Sequence, residues 1–110
     1  MAGYLTTHVL DTSKGIPAAG LEVVLYRVSG NSHRKITSMT TNDDGRTDSP
    51  ILPEDRFKVG EYELIFKCGD YLDDTSFLQD VPLRFTMSED THYHVPLLLS
   101  PFGYSTYRGS

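Results

Sequence analysis

An all-β sandwich of seven or eight short strands with one short helix is the fold class this sequence predicts, and three observations predict it. β-Branched and aromatic residues alternate with polar ones in short runs. Gly, Pro, Asn and Asp cut those runs at a spacing of roughly 8–12 residues, the rhythm of two packed antiparallel sheets. Only residues 69–75 carry an apolar pattern compatible with a helical turn, and nothing extends its stripe. The chain has 110 residues, near the usual size of one domain, so residues 1–110 are expected to form a single unit without linker or internal repeat.

The first strand is predicted over 4–11, with Lys14-Gly15-Ile16-Pro17 as the turn that ends it. Residues 21–28 alternate Leu21, Val23 and Leu25 against Glu22, Val24 and Tyr26 and predict the second. Gly30-Asn31-Ser32 is a hairpin signal leading into a third strand over 33–41. Asn42-Asp43-Asp44-Gly45 has the composition of a tight turn, because Asn, Asp and Gly tolerate positive φ, and it delivers Arg46 to the mouth of whatever follows. Residues 51–59 read as irregular or as a weak edge. A strand over 61–68 sets Tyr62, Leu64 and Phe66 on one face, and runs at 83–87, 91–99 and 102–107 complete the set. Pro96, inside the 91–99 run, predicts an edge position or a bulge, where its missing N–H is not needed.

Charge and cysteine usage exclude several classes. The net charge is −5 with no basic cluster, which argues against a nucleic-acid partner. The acidic stretch 70–74, broken by Tyr71 and Leu72, reads as a solvated turn or helix edge. The single cysteine, Cys68, rules out an internal disulfide framework and reads as a packed or edge residue. No basic leader followed by an apolar core opens the chain, and no apolar run approaches the ~18–20 residues that cross a bilayer. A soluble, cytoplasmic protein is the simplest expectation, with a periplasmic or peroxisomal address left open.

Histidine is the side chain best suited to proton exchange near neutral pH, and there are four. His33 sits at a hairpin beside Arg34 and Lys35 and reads as a solvated turn residue. His8 shares a strand face with Thr6 and Leu10, and residue type alone favours a structural histidine there over a functional one. His92 and His94, two apart, project from the same face of a regular strand. That spacing could contribute to a metal site, but no third or fourth ligand is evident nearby. Neither a nucleophile elbow nor a phosphate loop occurs.

Three segments carry more. Residues 3–12 (Gly3-Tyr4-Leu5-Thr6-Thr7-His8-Val9-Leu10-Asp11-Thr12), 41–46 (Thr41-Asn42-Asp43-Asp44-Gly45-Arg46) and 93–110, ending Tyr107-Arg108-Gly109-Ser110, resemble in the same order the N-terminal, central and C-terminal motifs of the transthyretin-like 5-hydroxyisourate hydrolases. The resemblance spans essentially the whole chain, although residues 68–80 carry no motif. It implies a transthyretin-like β-sandwich that hydrolyses 5-hydroxyisourate to 2-oxo-4-hydroxy-4-carboxy-5-ureidoimidazoline in urate degradation. The functional positions it implies are His8, Arg46, His94 and the terminal Tyr107-Arg108-Gly109-Ser110.

In the roles so implied, His8 and His94 divide the proton work around one water. Arg46 holds substrate and supports developing negative charge, and its own charge is expected to depress the pKa of the histidines. Tyr107 stacks on or hydrogen-bonds the planar substrate, and Ser110 positions substrate or water. No metal or cofactor is implied. The run 99–110 has no polar tail after it, which predicts an ordered, functional end.

Transthyretin itself, the hormone carrier of the same architecture, is the alternative relative. It has Lys at the position of His8, Glu at that of Arg46, and Thr at those of His94 and Tyr107, so this chain matches the hydrolases at all four. A non-catalytic interaction sandwich would have no reason to hold these residue types in these motifs. The resemblance also implies a homotetramer, a dimer of dimers. A groove shared between subunits gives so small a sandwich a pocket for a small-molecule substrate.

Overall fold

Strict alternation of buried and half-buried residues makes Tyr4–Asp11, β1, a strand with one face in the core: Leu5, Thr7, Val9 and Asp11 point inward, and Tyr4, Thr6, His8 and Leu10 point outward. The structure is a computed structural model that describes residues 3–109. The further strands are β2 (Ile16–Pro17), β3 (Glu22–Ser29), β4 (Ser32–Thr40), β5 (Gly60–Phe66), β6 (Val81–Met87), β7 (His92–Ser100) and β8 (Gly103–Thr106), with helix α1 at Cys68–Tyr71. Two four-stranded sheets result, in the orders β2-β1-β7-β8 and β4-β3-β5-β6. Leu5, Val9, Leu97 and Leu99 of the first sheet meet Val23, Leu25, Leu64 and Phe66 of the second, all without solvent exposure. Each such side chain contributes roughly 1.5–3 kcal/mol by leaving water.

The predicted sandwich is therefore present, with differences that have local causes. Gly30, at φ 59, supplies the left-handed residue that a two-residue connection needs, and Ser29 pairs with Ser32 across it. The helix opens at Cys68 rather than inside 69–75 and stops at Tyr71, because Leu72 returns to extended backbone at φ −70, ψ 139. Within 51–59 lies a single 3-10 turn, Glu54–Arg56. β6 begins at Val81, two residues before the predicted start. It is the outer strand of its sheet, where Pro82 is tolerated. Among the described residues no helix is long and apolar enough to cross a membrane.

Pro96 corrects an expectation more instructively. It lies in β7, an interior strand flanked by β1 and β8. Leu99 offers its carbonyl to Thr12 beside β1, whereas His94 offers its own to Gly109 on the opposite side. By alternation Pro96 faces as His94 does, toward the β8 side. There the ladder has just ended at the Leu97–Thr106 pair, and the Pro96 carbonyl accepts the Thr106 hydroxyl at 2.7 Å. The absent N–H falls in a gap of the ladder, so an interior proline costs no strand hydrogen bond.

Asp11 closes β1 from inside the core. It accepts the Ser13 hydroxyl at 2.6 Å, the Ser13 and Lys14 amides at 3.1 and 3.2 Å, and the Tyr71 hydroxyl at 2.7 Å. Burial raises the pKa of the carboxyl, but these donors outweigh it and hold the group below the usual value. Asp11→Ala is expected to cost about 2–3 kcal/mol, the worth of hydrogen bonds to a charged group together with a stranded donor. Urea unfolding at pH 7 measures it. Because the folded-state pKa is depressed, this contribution is present above the unfolded value of 3.8 and fades as pH falls through the lower, folded one.

Candidate active site

The parallel pairing of β1 with β7 builds the site. Its register sets Tyr4 beside His92, Thr6 beside His94 and His8 beside Pro96. All lie on the outward face of the first sheet, half-buried there except for Pro96, which is buried. Two histidines from one end of the chain thereby meet one from the other, with ring centroids of His8 and His94 6.5 Å apart and those of His92 and His94 6.3 Å apart.

The turn after β4 brings in the cation. Asn42 takes the Gly45 amide on its backbone carbonyl at 2.9 Å, and its side-chain oxygen accepts the Asp44 and Arg46 amides at 2.9 and 3.2 Å. Gly45, at φ 75, lets the chain press against β1: a Cβ there would stand 2.4 Å from the Val9 carbonyl oxygen. The Gly45 carbonyl then accepts the Val9 amide at 2.8 Å, and Arg46 bridges His8 as a short antiparallel pair. So the turn read from composition does deliver Arg46, and it delivers it beside the histidines.

A cavity of ≈ 430 Å³ opens on this face, with Tyr4, Thr6, Arg46, Asp48, His92 and His94 in its lining. His8 flanks it. The His8 Nε2 donates to the Asp44 carbonyl at 3.0 Å, since a carbonyl can only accept, so neutral His8 carries its lone pair on Nδ1. The Thr6 hydroxyl lies between His92 and His94 within hydrogen-bond distance of both. Burial lowers the pKa of His8 and His94 below the ordinary 6.5, and the Arg46 guanidinium lowers both further. For His94 the other two imidazoles add to the effect, whereas for His8 the bond to Asp44 opposes it. The expected role of Arg46 in tuning the histidines thus stands second to desolvation. At neutral pH both rings are mainly uncharged bases beside a fixed cation.

The C-terminal segment reaches the site through Gly109, whose amide donates to the His94 carbonyl at 2.7 Å. Its missing side chain matters, because a Cβ at Gly109 would sit 2.6 Å from His94 Cδ2. Arg108 lies over the Tyr93 ring at 4.3 Å and pins the segment from its other side. Tyr107 is 59 % exposed and lines a separate, mostly apolar cavity with Leu83, Phe85, Tyr93 and Val95, away from the histidines of its own chain. Ser110 lies outside the described residues. His33, read as a solvated turn residue, instead accepts from Arg84 at 2.7 Å in a surface group with Glu63. Cys68 is fully buried, and burial pushes its thiol up to about 12, so it is packing and no nucleophile.

Two features of the site escaped the sequence. In sequence His92 offers only an incomplete metal-ligand spacing, yet its Nε2 and the Nδ1 of His94 are both turned to one threonine hydroxyl. Among the described residues no three His, Cys, Asp or Glu gather as a metal site. Thr6 itself carried no signal except its place on the outward face of a predicted strand.

Comparison with known proteins adds what geometry alone does not. The family model described as "HIUase/Transthyretin family" matches residues 5–109. A 5-hydroxyisourate hydrolase of Mesorhizobium japonicum is 54% identical over 115 residues, covering 98% of this chain and 93% of that protein. Among solved structures, Klebsiella pneumoniae 5-hydroxyisourate hydrolase superimposes with a TM-score of 0.81 at 32% identity, over 98% of this chain and 94% of the other. Sea bream transthyretin in complex with thyroxine gives 0.87 at 26% identity, over 96% and 93%. The transthyretin-like sandwich is thus common to a hydrolase and a hormone-binding protein, and the fold by itself does not choose between them.

Proposed function

The chain belongs to the HIUase/transthyretin family, and from that premise we propose that it is a 5-hydroxyisourate hydrolase rather than a carrier. One observation supports this above the others: the Arg46 guanidinium and the His94 imidazole line one cavity, and a second imidazole, that of His8, stands 6.5 Å from His94, both rings with pKa values held below the ordinary one. A carrier has no use for paired bases beside a cation. Opening the substrate's ring amide requires water to add to a carbonyl carbon, its proton to be taken, negative oxygen to be stabilised, and the departing nitrogen to be protonated as the C–N bond breaks. His94 and His8 take and return the proton. Arg46 keeps its charge and offers a planar fork of donors to the electron-rich ring oxygens. 2-Oxo-4-hydroxy-4-carboxy-5-ureidoimidazoline is then the product, and residues 1–110 act as one hydrolase domain.

The assay that tests this adds the protein to 5-hydroxyisourate made freshly by urate oxidase and follows its absorbance. Acceleration well above spontaneous decay is expected, and none would leave the carrier reading in its place. The enzyme is proposed to work as a homotetramer, a dimer of dimers. In that assembly a neighbouring subunit would supply Tyr107, which is turned away from its own histidines. Ser110 is retained as a proposed positioning group.

Two further results are expected. The acidic limb of kcat/KM should have an apparent pKa below 6.5, the direction in which burial and Arg46 move both histidines. Arg46→Gln should raise that pKa as well as lowering the plateau, and a limb that stays in place would show that Arg46 does not act on the bases. The reaction is proposed to be metal-independent, because the two facing nitrogens of the His92/His94 pair are already turned to Thr6. Exhaustive chelation should leave the rate unchanged. Loss on chelation with recovery on adding zinc would restore the ligand reading of that pair.

A further inference from the structure

Thr6 Oγ1 lies 2.7 Å from His92 Nε2 and 2.8 Å from His94 Nδ1. A hydroxyl has one proton, so Thr6 cannot donate to both rings; it donates to one nitrogen and accepts N–H from the other. Three groups therefore share one directional choice. If the order runs from His92 toward His94, Nδ1 of neutral His94 accepts, its Nε2 carries the hydrogen, and the ring has no free lone pair with which to take a proton. If it runs from His94 toward His92, Nδ1 donates and Nε2 keeps the lone pair.

The surroundings favour the second order. Nδ1 is occupied by Thr6, whereas Nε2 of His94 has no hydrogen-bond partner among the described residues, and the ring lines the cavity that also holds Arg46. A lone pair beside a guanidinium is more favourable than an N–H dipole beside it. His92 is held to receive the Thr6 proton: its ring stacks on Tyr4 at 4.1 Å between centroids and 5° between planes, which fixes the direction of Nε2. Both pairs follow from the β1–β7 register, which sets Tyr4 against His92 and Thr6 against His94.

We propose that Thr6 and His92 are positioning residues that hold neutral His94 with its proton on Nδ1, so that Nε2 is the nitrogen that takes the proton of the attacking water. The water and its proton rest on the hydrolase reading; the tautomer rests on the hydrogen-bond geometry. Nε2 gains the water proton as the oxygen adds to the carbonyl carbon, and that proton returns to the departing ring nitrogen with His8 sharing the transfer. Nδ1 keeps its own proton throughout. Its bond to Thr6 becomes charge-assisted while the imidazolium exists, and Thr6 continues to donate to His92.

Two-bond 1H–15N spectra of the imidazoles of the 15N-labelled protein, recorded without substrate at about pH 8 where histidines are neutral, read the tautomer directly. His94 is expected to show a protonated Nδ1 and an unprotonated Nε2, and His92 an unprotonated Nε2. In Thr6→Val the His94 signals should move toward the Nε2–H form, with kcat lowered about ten-fold, the worth of one hydrogen bond to a charged group, and KM within about two-fold. Thr6→Ser, which keeps the hydroxyl, should restore both the spectrum and kcat. An Nε2–H His94 in the unsubstituted protein overturns the proposal and needs no variant to fold. So does a folded Thr6→Val protein with unchanged spectrum and kcat. The expected tautomer in a protein that does not speed 5-hydroxyisourate loss would remove the hydrolase reading and leave the tautomer assignment standing. Full activity with the opposite tautomer would do the reverse.

Discussion

Replacing His94 by Asn is expected to lower kcat/KM by about 10²–10⁴-fold, the usual share of general acid–base catalysis in a rate, with the sandwich still folded. The expectation rests on where the ring sits. It is half-buried on the outward face, beside a cation and a second imidazole, and the core lies on the other face of β7. Asn retains a polar group that can bond Thr6, so the loss isolates proton transfer from packing. His8→Asn should fall in the same range, because its one basic nitrogen is Nδ1, the other being committed to the Asp44 carbonyl. The double variant should lose less than the product of the two, since groups that serve one proton transfer are not additive. His33→Asn, on the far sheet with Arg84 and Glu63, is the control and should leave turnover unchanged. Turnover of His94→Asn at the level of the unsubstituted protein would remove the ring from the chemistry.

Gly109→Ala is expected to be nearly as damaging, about 10²-fold in kcat, although it adds one methyl group far from the core. That methyl would stand 2.6 Å from His94 Cδ2 and 3.2 Å from its Cβ and Cγ. The ring cannot yield freely, because the Thr6 hydroxyl holds Nδ1 and the Gly109 amide holds the His94 carbonyl. Either the imidazole turns and loses Thr6 or the C-terminal segment lifts away. A reacting group displaced by an ångström costs rate on this scale. The measurement pairs kcat and KM with thermal unfolding. A Tm within a few degrees of the unsubstituted protein and a large fall in kcat is the expected pattern. Unchanged kcat would show that the close approach of Gly109 does not constrain the ring.

Much of this was legible in the residues. Alternation found β1 with both ends correct at Tyr4–Asp11, because its inward Leu5, Val9 and Asp11 and outward Tyr4, Thr6 and His8 leave no other period. The Asn42–Gly45 turn was legible from composition, since Gly45 has the positive φ that the turn requires. What alternation cannot carry is register between segments far apart in sequence. That His94 stands beside Thr6 depends on β1 pairing β7 in parallel, and nothing within either segment states it. His92 and Thr6 were therefore invisible as a pair. Pro96 misled for the same reason: a missing N–H is harmless at an outer strand or at a gap in a ladder, and only the pairing shows which applies. The motif that singles out Tyr107 says nothing of which histidines it serves, and the path of the backbone after β8 turns it to a cavity away from those of its own chain.

The β1–β7 ladder has a temporal consequence. The bond between Thr6 and His94 spans 88 positions of the chain, so almost the whole polypeptide must be closed into a loop before that contact exists. Such closures carry their entropy cost before any contact rewards them and are slow to nucleate. The β3–β4 hairpin, joined by two residues, has no such delay. During refolding, spectroscopic strand signal should thus rise ahead of turnover. A nascent chain emerging from the ribosome holds His8 and Arg46 long before it holds His94, so the proposed site cannot assemble until β7 has paired with β1.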